Sequence, residues 1–282
     1  MKKMKNIAVV LRGHVRTWHF NAPKVFDFYD EIADNVDYYF ITWDTSNTEG
    51  VEESFKNQNL IHFHILGYSL HNALLTEGAE TGEYYNGHLG PPYMNMIMAP
   101  HIRRQEKRLK DNTKYDCIFD SRPDVLPVRN KDLSITYPDP NTIYFSGLEM
   151  QTNMKTNKLD VAMQDWFMYM GSDEFDVFNK RYHSDGWLYP SDGPGTQIEI
   201  REYVTNNLFT EMTVCIQDWC EAYMIRPNVF RLDWLDSKDT ETLLIKSREW
   251  PTMTKEDKIT DCEKYGISLS DYIDTESITC KI

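Results

Sequence analysis

An α/β fold with a mostly parallel sheet flanked by helices is predicted by three features of this sequence. The chain opens with a strand, a helix and a second strand, a βαβ unit whose right-handed crossover normally belongs to a parallel sheet. Apolar strands recur after helical segments further along, and polar or charged clusters follow directly on their ends, which places a ligand along the carboxyl edge of the sheet. A hydrophobic fraction of 41% over 282 residues, with no fixed-period repeat and no low-complexity run, suffices for one large core and argues against disorder or a solenoid.

The first strand is the apolar run 6–11, NIAVVL, which meets Arg12-Gly13-His14. Asn21 is placed to cap the helix that follows, Pro23 suits its first turn, and Val25, Phe28, Tyr29 and Ile32 recur at helical spacing until Asp34-Asn35. Residues 37–43, DYYFITW, form the second strand. His62 and His64 alternate within IHFHIL and face one side of a strand, as a metal pair would, but with no third ligand near in sequence they read as core or surface histidines. GHLGPPY at 87–93 reads as a loop, after which Met94, Ile97, Met98, Ile102 and Leu109 mark an amphipathic helix. That helix leads into a strand beginning at residue 115.

Residues 142–145 form a further strand, 147–160 is a polar segment, and 166–170 is a strand closed by Gly171-Ser172, with Ser172 capping the next helix. After the turn-rich YPSDGPG at 189–195, Thr196 begins a helix with Ile200, Tyr203, Val204 and Leu208 on its apolar side. The end of the chain is polar, with short helical pieces around 255–264 and 269–274. The whole reads as one domain over residues 1–282, with a polar C-terminal extension from about residue 230.

Thirty basic against 44 acidic residues give a formal charge of -14, so counterion release from a nucleic-acid backbone does not drive binding. The basic run 102–110, IRRQEKRLK, falls where a helix ends, and its charges complement the helix dipole. At the amino terminus the apolar run before Arg12 is too short for a signal-peptide core or a membrane span. Five cysteines with no Cys-x-x-Cys pair fit a reducing, cytoplasmic setting and no structural zinc.

The stretch with most chemistry is 115–125, YDCIFDSRPDV. Pro123 pushes Arg122 toward extended backbone, which puts Asp120, Arg122 and Asp124 on one side by the period-two rule. Charges gathered at the end of an apolar strand are either an ion-pair lock or a site for a charged ligand, and carboxylates beside a phosphate are usually wanted for a metal.

Four segments, in order, resemble a family of GT-A-type glycosyltransferases found in bacterial surface-polysaccharide clusters and in large phages and algal viruses. VVLRGHVRTW resembles the family's opening strand, with Gly13 and Arg16 at the matching positions. VDYYFITWD resembles its second strand, ending in Trp43 and Asp44. YDCIFDSRPDV resembles its Arg-Pro-Asp signature, here Arg122, Pro123 and Asp124. QDWFMYMGSDEFDVF followed by TQIEIREYV resembles its aspartate, strand, glycine-serine and glutamate-led helix, matching Asp165, Gly171, Ser172 and Glu199. The matches run over roughly residues 6–225. The chain departs from the family at Asp120, where a basic or apolar residue is commoner, and in having no plain Asp-x-Asp.

The resemblance implies a GT-A-like, Rossmann-like sheet, a nucleotide-sugar donor and a glycan or other hydroxyl acceptor. It implies a divalent cofactor, Mn or Mg, held by Asp124 with Asp120 as second ligand, and Asp165 or Glu199 as general base. Gly13, Arg16, Trp43, Asp44 and Arg122 become nucleotide-sugar-binding residues. Each has a plainer alternative: an ion pair for Arg16 or Arg12, core packing for Trp43, a turn or helix cap for Asp165, and a capping box from Thr196 for Glu199. His14 is a turn histidine near the site, and Asp192 a further carboxylate in the second loop. The loops GHLGPPYMN and YPSDGPG shape the acceptor side. The alternatives in function are a catalytically silent carbohydrate-binding or interaction protein of the same fold and a sugar nucleotidyltransferase. The latter wants a glycine-rich loop after the first strand, where RGHVRTW has one glycine. Oligomeric state is not written in the sequence.

Overall fold

β1 (Met4–Arg12) is the hub of the sheet, and its residues explain why. Residues 7–12 are buried throughout, as expected of a parallel strand covered on both faces. Ile7, Val9 and Leu11 enter one hydrophobic cluster, while Ala8 and Val10 enter a second on the opposite face. A computed structural model describes residues 3–15, 17–44, 46–67, 90–110, 113–153, 158–163, 166–184 and 212–224.

The chain leaves β1 into α1 (Trp18–Ile32), passes without a loop into β2 (Ala33–Trp43), makes the short turn of helix α2 (Val51–Ser54) and returns as β3 (Asn59–Leu66). α3 (Gly90–Glu106) leads to β4 (Cys117–Ser121) and β5 (Val125–Arg129). Then come β6 (Thr142–Phe145), the hairpin β7 (Leu148–Asn153) and β8 (Lys158–Met163), and β9 (Phe167–Met170). α4 (Ser172–Ser184), β10 (Thr213–Ile216) and β11 (Cys220–Met224) complete the described elements.

Seven strands form one sheet in the order β10-β6-β9-β4-β1-β2-β3, with β5 and β11 making a separate antiparallel pair. Only β9 runs against its neighbours, pairing antiparallel with both β4 and β6. The sheet is therefore mostly parallel and flanked by helices, the predicted α/β class.

Aromatic residues fill the α1 face. Trp18, Phe26, Phe28 and Tyr29 of α1 pack with Phe40, Phe119, Tyr169 and Trp219, and the Trp219 indole N–H donates to the Tyr169 hydroxyl at 2.9 Å. The opposite face is aliphatic and sulfur-rich, with Met94, Met98 and Ile102 of α3 and Phe175 and Phe178 of α4 over Val10, Ile41, Ile118 and Met168. A polar knot joins these two helices. Arg103 donates from Nε to Asp176 at 2.8 Å and also reaches Glu106 and Ser172, while Glu106 Oε1 accepts the Ser172 hydroxyl at 2.5 Å and the Tyr115 N–H at 3.1 Å.

Several local expectations are corrected. α1 begins at Trp18, so Asn21 lies inside it and is not its cap; the buried Asn21 amide donates to Thr17 Oγ1 at 3.2 Å and to the Pro123 carbonyl at 3.3 Å. Pro23 is likewise internal, and so is Pro100 in α3. Residues 90–93 of the expected loop belong to α3, where the Pro pair suits a helix start. Ser172 is the first residue of α4, and its hydroxyl serves Glu106. The polar segment 147–160 holds β7 and the first half of β8, a hairpin in which Leu148 and Met150 register with Met163 and Val161. The expected helices at 196, 255–264 and 269–274 lie outside the described residues.

Candidate functional site

From β1 the sheet grows outward through β2 to β3, and the chain then crosses back to lay β4 on the other side of β1. This reversal makes the carboxyl ends of β1 and β4 a topological switch point, the crevice where open α/β sheets bind ligands. Residues from three distant segments end there. β1 delivers Arg12, Gly13 and His14, β2 delivers Trp43 and Asp44, and β4 delivers Ser121 and Arg122, with Leu11 opposite Ser121 in register.

Gly13 turns the chain off the sheet. Its φ of 114° lies in the region that favours glycine, and its N–H donates to the Ile41 carbonyl at 3.1 Å. A Cβ there would touch nothing within 4 Å, so Gly13→Ala is expected to cost about 1–2 kcal/mol from backbone conformation alone. Urea denaturation reads this as a lower midpoint at constant slope. Beside it, His14 Nδ1 and Ser46 Oγ lie 3.0 Å apart and tie the β1 and β2 loops together.

The question posed by Asp120, Arg122 and Asp124 resolves into two ion pairs. Asp120 has no exposed surface; Arg12 Nε donates to its Oδ1, and Asn95 Nδ2 donates to Oδ2 at 2.6 Å. The same Asn95 amide reaches Asn179 of α4 at 3.0 Å. Arg122 forks onto Asp124, Nε to Oδ1 at 2.9 Å and Nη2 to Oδ2 at 2.8 Å. Asp124 is fully buried, whereas the Arg122 side chain keeps 22% exposure.

Asp124 and Asp120, expected together around a divalent cation, each hold an arginine in this structure. Each carboxylate is the buried counter-charge of an arginine, so this pair does not fit a cation as placed. Among the described residues no group of three or more His, Cys, Asp or Glu could hold a metal ion. Trp43 is 7% exposed and packs in the α3-face cluster. Asp44 is exposed at the edge, its N–H donating to the Leu66 carbonyl at 2.8 Å. Arg16, Asp165, Asp192 and Glu199 lie outside the described residues, although Trp166, next after Asp165, accepts the Arg122 N–H at 3.2 Å.

Asn95, Asn179 and Asn21, which brace this edge from the helices, carry no local signal that sequence could use. The same holds for His101. It stacks on His62 with centroids 3.4 Å apart, while His64 stands 5.8 Å from His62. Burial, reinforced by His101, His64 and Arg104, pushes His62 down to about 4, and burial also lowers His101. The folded state thus keeps both rings neutral where the unfolded chain begins to take up protons, near pH 6.5. Their contribution is whole above about pH 6.5 and is lost as pH falls below it, for His62 down to about 4. Melting temperatures between about pH 7.5 and about pH 4.5 are expected to fall, with a shallower fall in a His62→Gln, His101→Gln double variant. An identical profile in that variant removes the assignment.

No family model matches the chain, and no curated protein matches it. Solved structures do. The mannosyltransferase Ktr4p from S. cerevisiae is 9% identical at a TM-score of 0.35, over 68% of this chain and 63% of that one. This chain thus spans less than two thirds of that protein's length. The inositol-1-phosphate CTP transferase from T. maritima is 10% identical at a TM-score of 0.40, covering 88% and 98%. The galactosyltransferase LgtC, in complex with donor and acceptor sugar analogs, is 10% identical at a TM-score of 0.33, covering 89% and 98%. At these TM-scores the likenesses carry no weight for fold or function.

Proposed function

We propose that this chain is a GT-A-like glycosyltransferase that moves a sugar from a nucleoside-diphosphate-sugar donor to a glycan or other hydroxyl acceptor. One observation supports the reading above others: three of the four family-like segments, far apart in sequence, end side by side at the switch point as Gly13, Asp44 and Arg122. A transferase must bind the departing diphosphate, and the partly exposed Arg122 guanidinium at this edge offers hydrogen-bond donors for it. Arg16, three residues beyond Gly13, is a second cation for the same task in this proposal. Asp165 or Glu199 would take the proton from the acceptor hydroxyl. A cytoplasmic site of action belongs to the same proposal, supported by the free thiols of Cys117, Cys215 and Cys220. Among the described residues no helix is long and apolar enough to cross a membrane.

A second reading, a catalytically silent carbohydrate-binding or interaction protein of this fold, is favoured by one feature: Asp120 and Asp124 are both spent on internal ion pairs. Thermal-shift screening of nucleoside diphosphate sugars, with and without manganese, separates the two. A donor-specific rise in midpoint supports transfer, and no shift with any nucleotide supports the silent binder.

A further inference from the structure

We propose that Asp124 is the positioning counter-ion of Arg122, and that this pair anchors the donor's diphosphate without a divalent cation bound to Asp124. The inference rests on the transferase reading above. A guanidinium carries five N–H donors, and the Nε/Nη2 edge of Arg122 is consumed by the two oxygens of Asp124. What remains is the other fork, Nη1 with the second hydrogen of Nη2, which makes no hydrogen bond among the described residues. Asp124, fully buried, grips the opposite edge, and the Arg122 side chain keeps 22% exposure.

The backbone is held as firmly. The Arg122 N–H donates to the Trp166 carbonyl at 3.2 Å, the Arg122 carbonyl accepts the Val125 N–H at 3.1 Å, and the Pro123 carbonyl accepts the buried Asn21 amide at 3.3 Å. A fork fixed in this way matches two oxygens of a phosphoryl group and gives up little side-chain entropy on binding. A point charge such as lysine supplies neither the fork nor the grip on Asp124. The free fork supplies the diphosphate with oriented hydrogen-bond donors, and Asp124, whose charge the guanidinium balances, acts by holding that fork in place.

The test is thermal shift with inorganic pyrophosphate and with UDP and GDP sugars, in EDTA and again in magnesium. The expected result is a midpoint rise with pyrophosphate that is the same in both buffers. Arg122→Lys and Asp124→Asn should each weaken pyrophosphate about tenfold or more, again equally in both buffers. A nucleotide-sugar shift that requires magnesium and disappears in Asp124→Asn overturns this inference and leaves the transferase reading standing. No shift with any probe in either buffer overturns both. The wild-type comparison between buffers needs no variant, so it decides the matter even where Asp124→Asn fails to fold.

Discussion

Asp120→Ala is expected to lose about 3–5 kcal/mol of stability, the cost of removing one member of a buried ion pair. Arg12 keeps 2% exposure and Asp120 none, so water cannot replace the missing carboxylate without opening the α3 face. The Asn95 amide, which donates to both Asp120 and Asn179, loses one of its two acceptors in the same step. At about 2–4 °C per kcal/mol for a chain of this size, the melting temperature should drop by roughly 6–20 °C. Replacing the pair together, Arg12→Met with Asp120→Leu, is expected to recover most of the loss, since a well-packed apolar pair avoids two desolvation penalties. Equilibrium urea unfolding of the two variants measures both effects. An Asp120→Ala protein as stable as the wild type would return this carboxylate to the list of candidate cation ligands.

Trp18→Ala is expected to cost about 3–5 kcal/mol, the range for deleting a large buried aromatic. Trp18 is fully buried at the start of α1, stacks on Phe55 with centroids 5.2 Å apart, and meets Phe26 and Phe40 edge to face at 5.5 and 5.2 Å. Its indole N–H donates to Ser54 Oγ at 3.0 Å, and that hydroxyl donates to the Val51 carbonyl at 2.6 Å. One side chain thereby joins α1, β2 and the α2 turn, and no neighbour can collapse into the space without breaking another ring contact. Trp18→Phe should restore most of the stability while losing the hydrogen bond, a difference of about 1 kcal/mol. Comparing the two by chemical denaturation separates ring packing from the bond to Ser54; equal losses would show that the indole N–H, not the packing, dominates.

How far the chain can be read without coordinates depends on the range of the interaction. The apolar runs of β1 and β2 and the helical spacing of Val25, Phe28, Tyr29 and Ile32 report burial through local periodicity, and these elements lie where that periodicity puts them. The start of α1 was harder to see, because Asn21 and Pro23 have strong local preferences that the packing of Trp18 overrides. β7 and β8 alternate only briefly, Leu148 and Met150 against Glu149 and Gln151, and Leu159 and Val161 against Lys158 and Asp160, and that short signal is easily passed over inside a polar segment. For the histidines, IHFHIL reveals two on one strand face, but the partner His101 arrives from α3, 37 residues after His64 in the numbering.

The carboxyl edge shows the division most clearly. That charged residues follow the ends of β1 and β4 is a property of the linear chain, since a buried strand must shed its polar groups at its termini. Which charge meets which is not. Asp120 faces Arg12 because Val10 registers with Asp120 and Leu11 with Ser121, and because Ala8, Val10 and Arg12 share the face that receives Asp120. Asp124 turns inward because the chain bends at Pro123 beneath the Asn21 amide of α1. A single register step would exchange those partners and the faces they point to, and register between strands separated by a hundred residues is set by the packing of both sheet faces together.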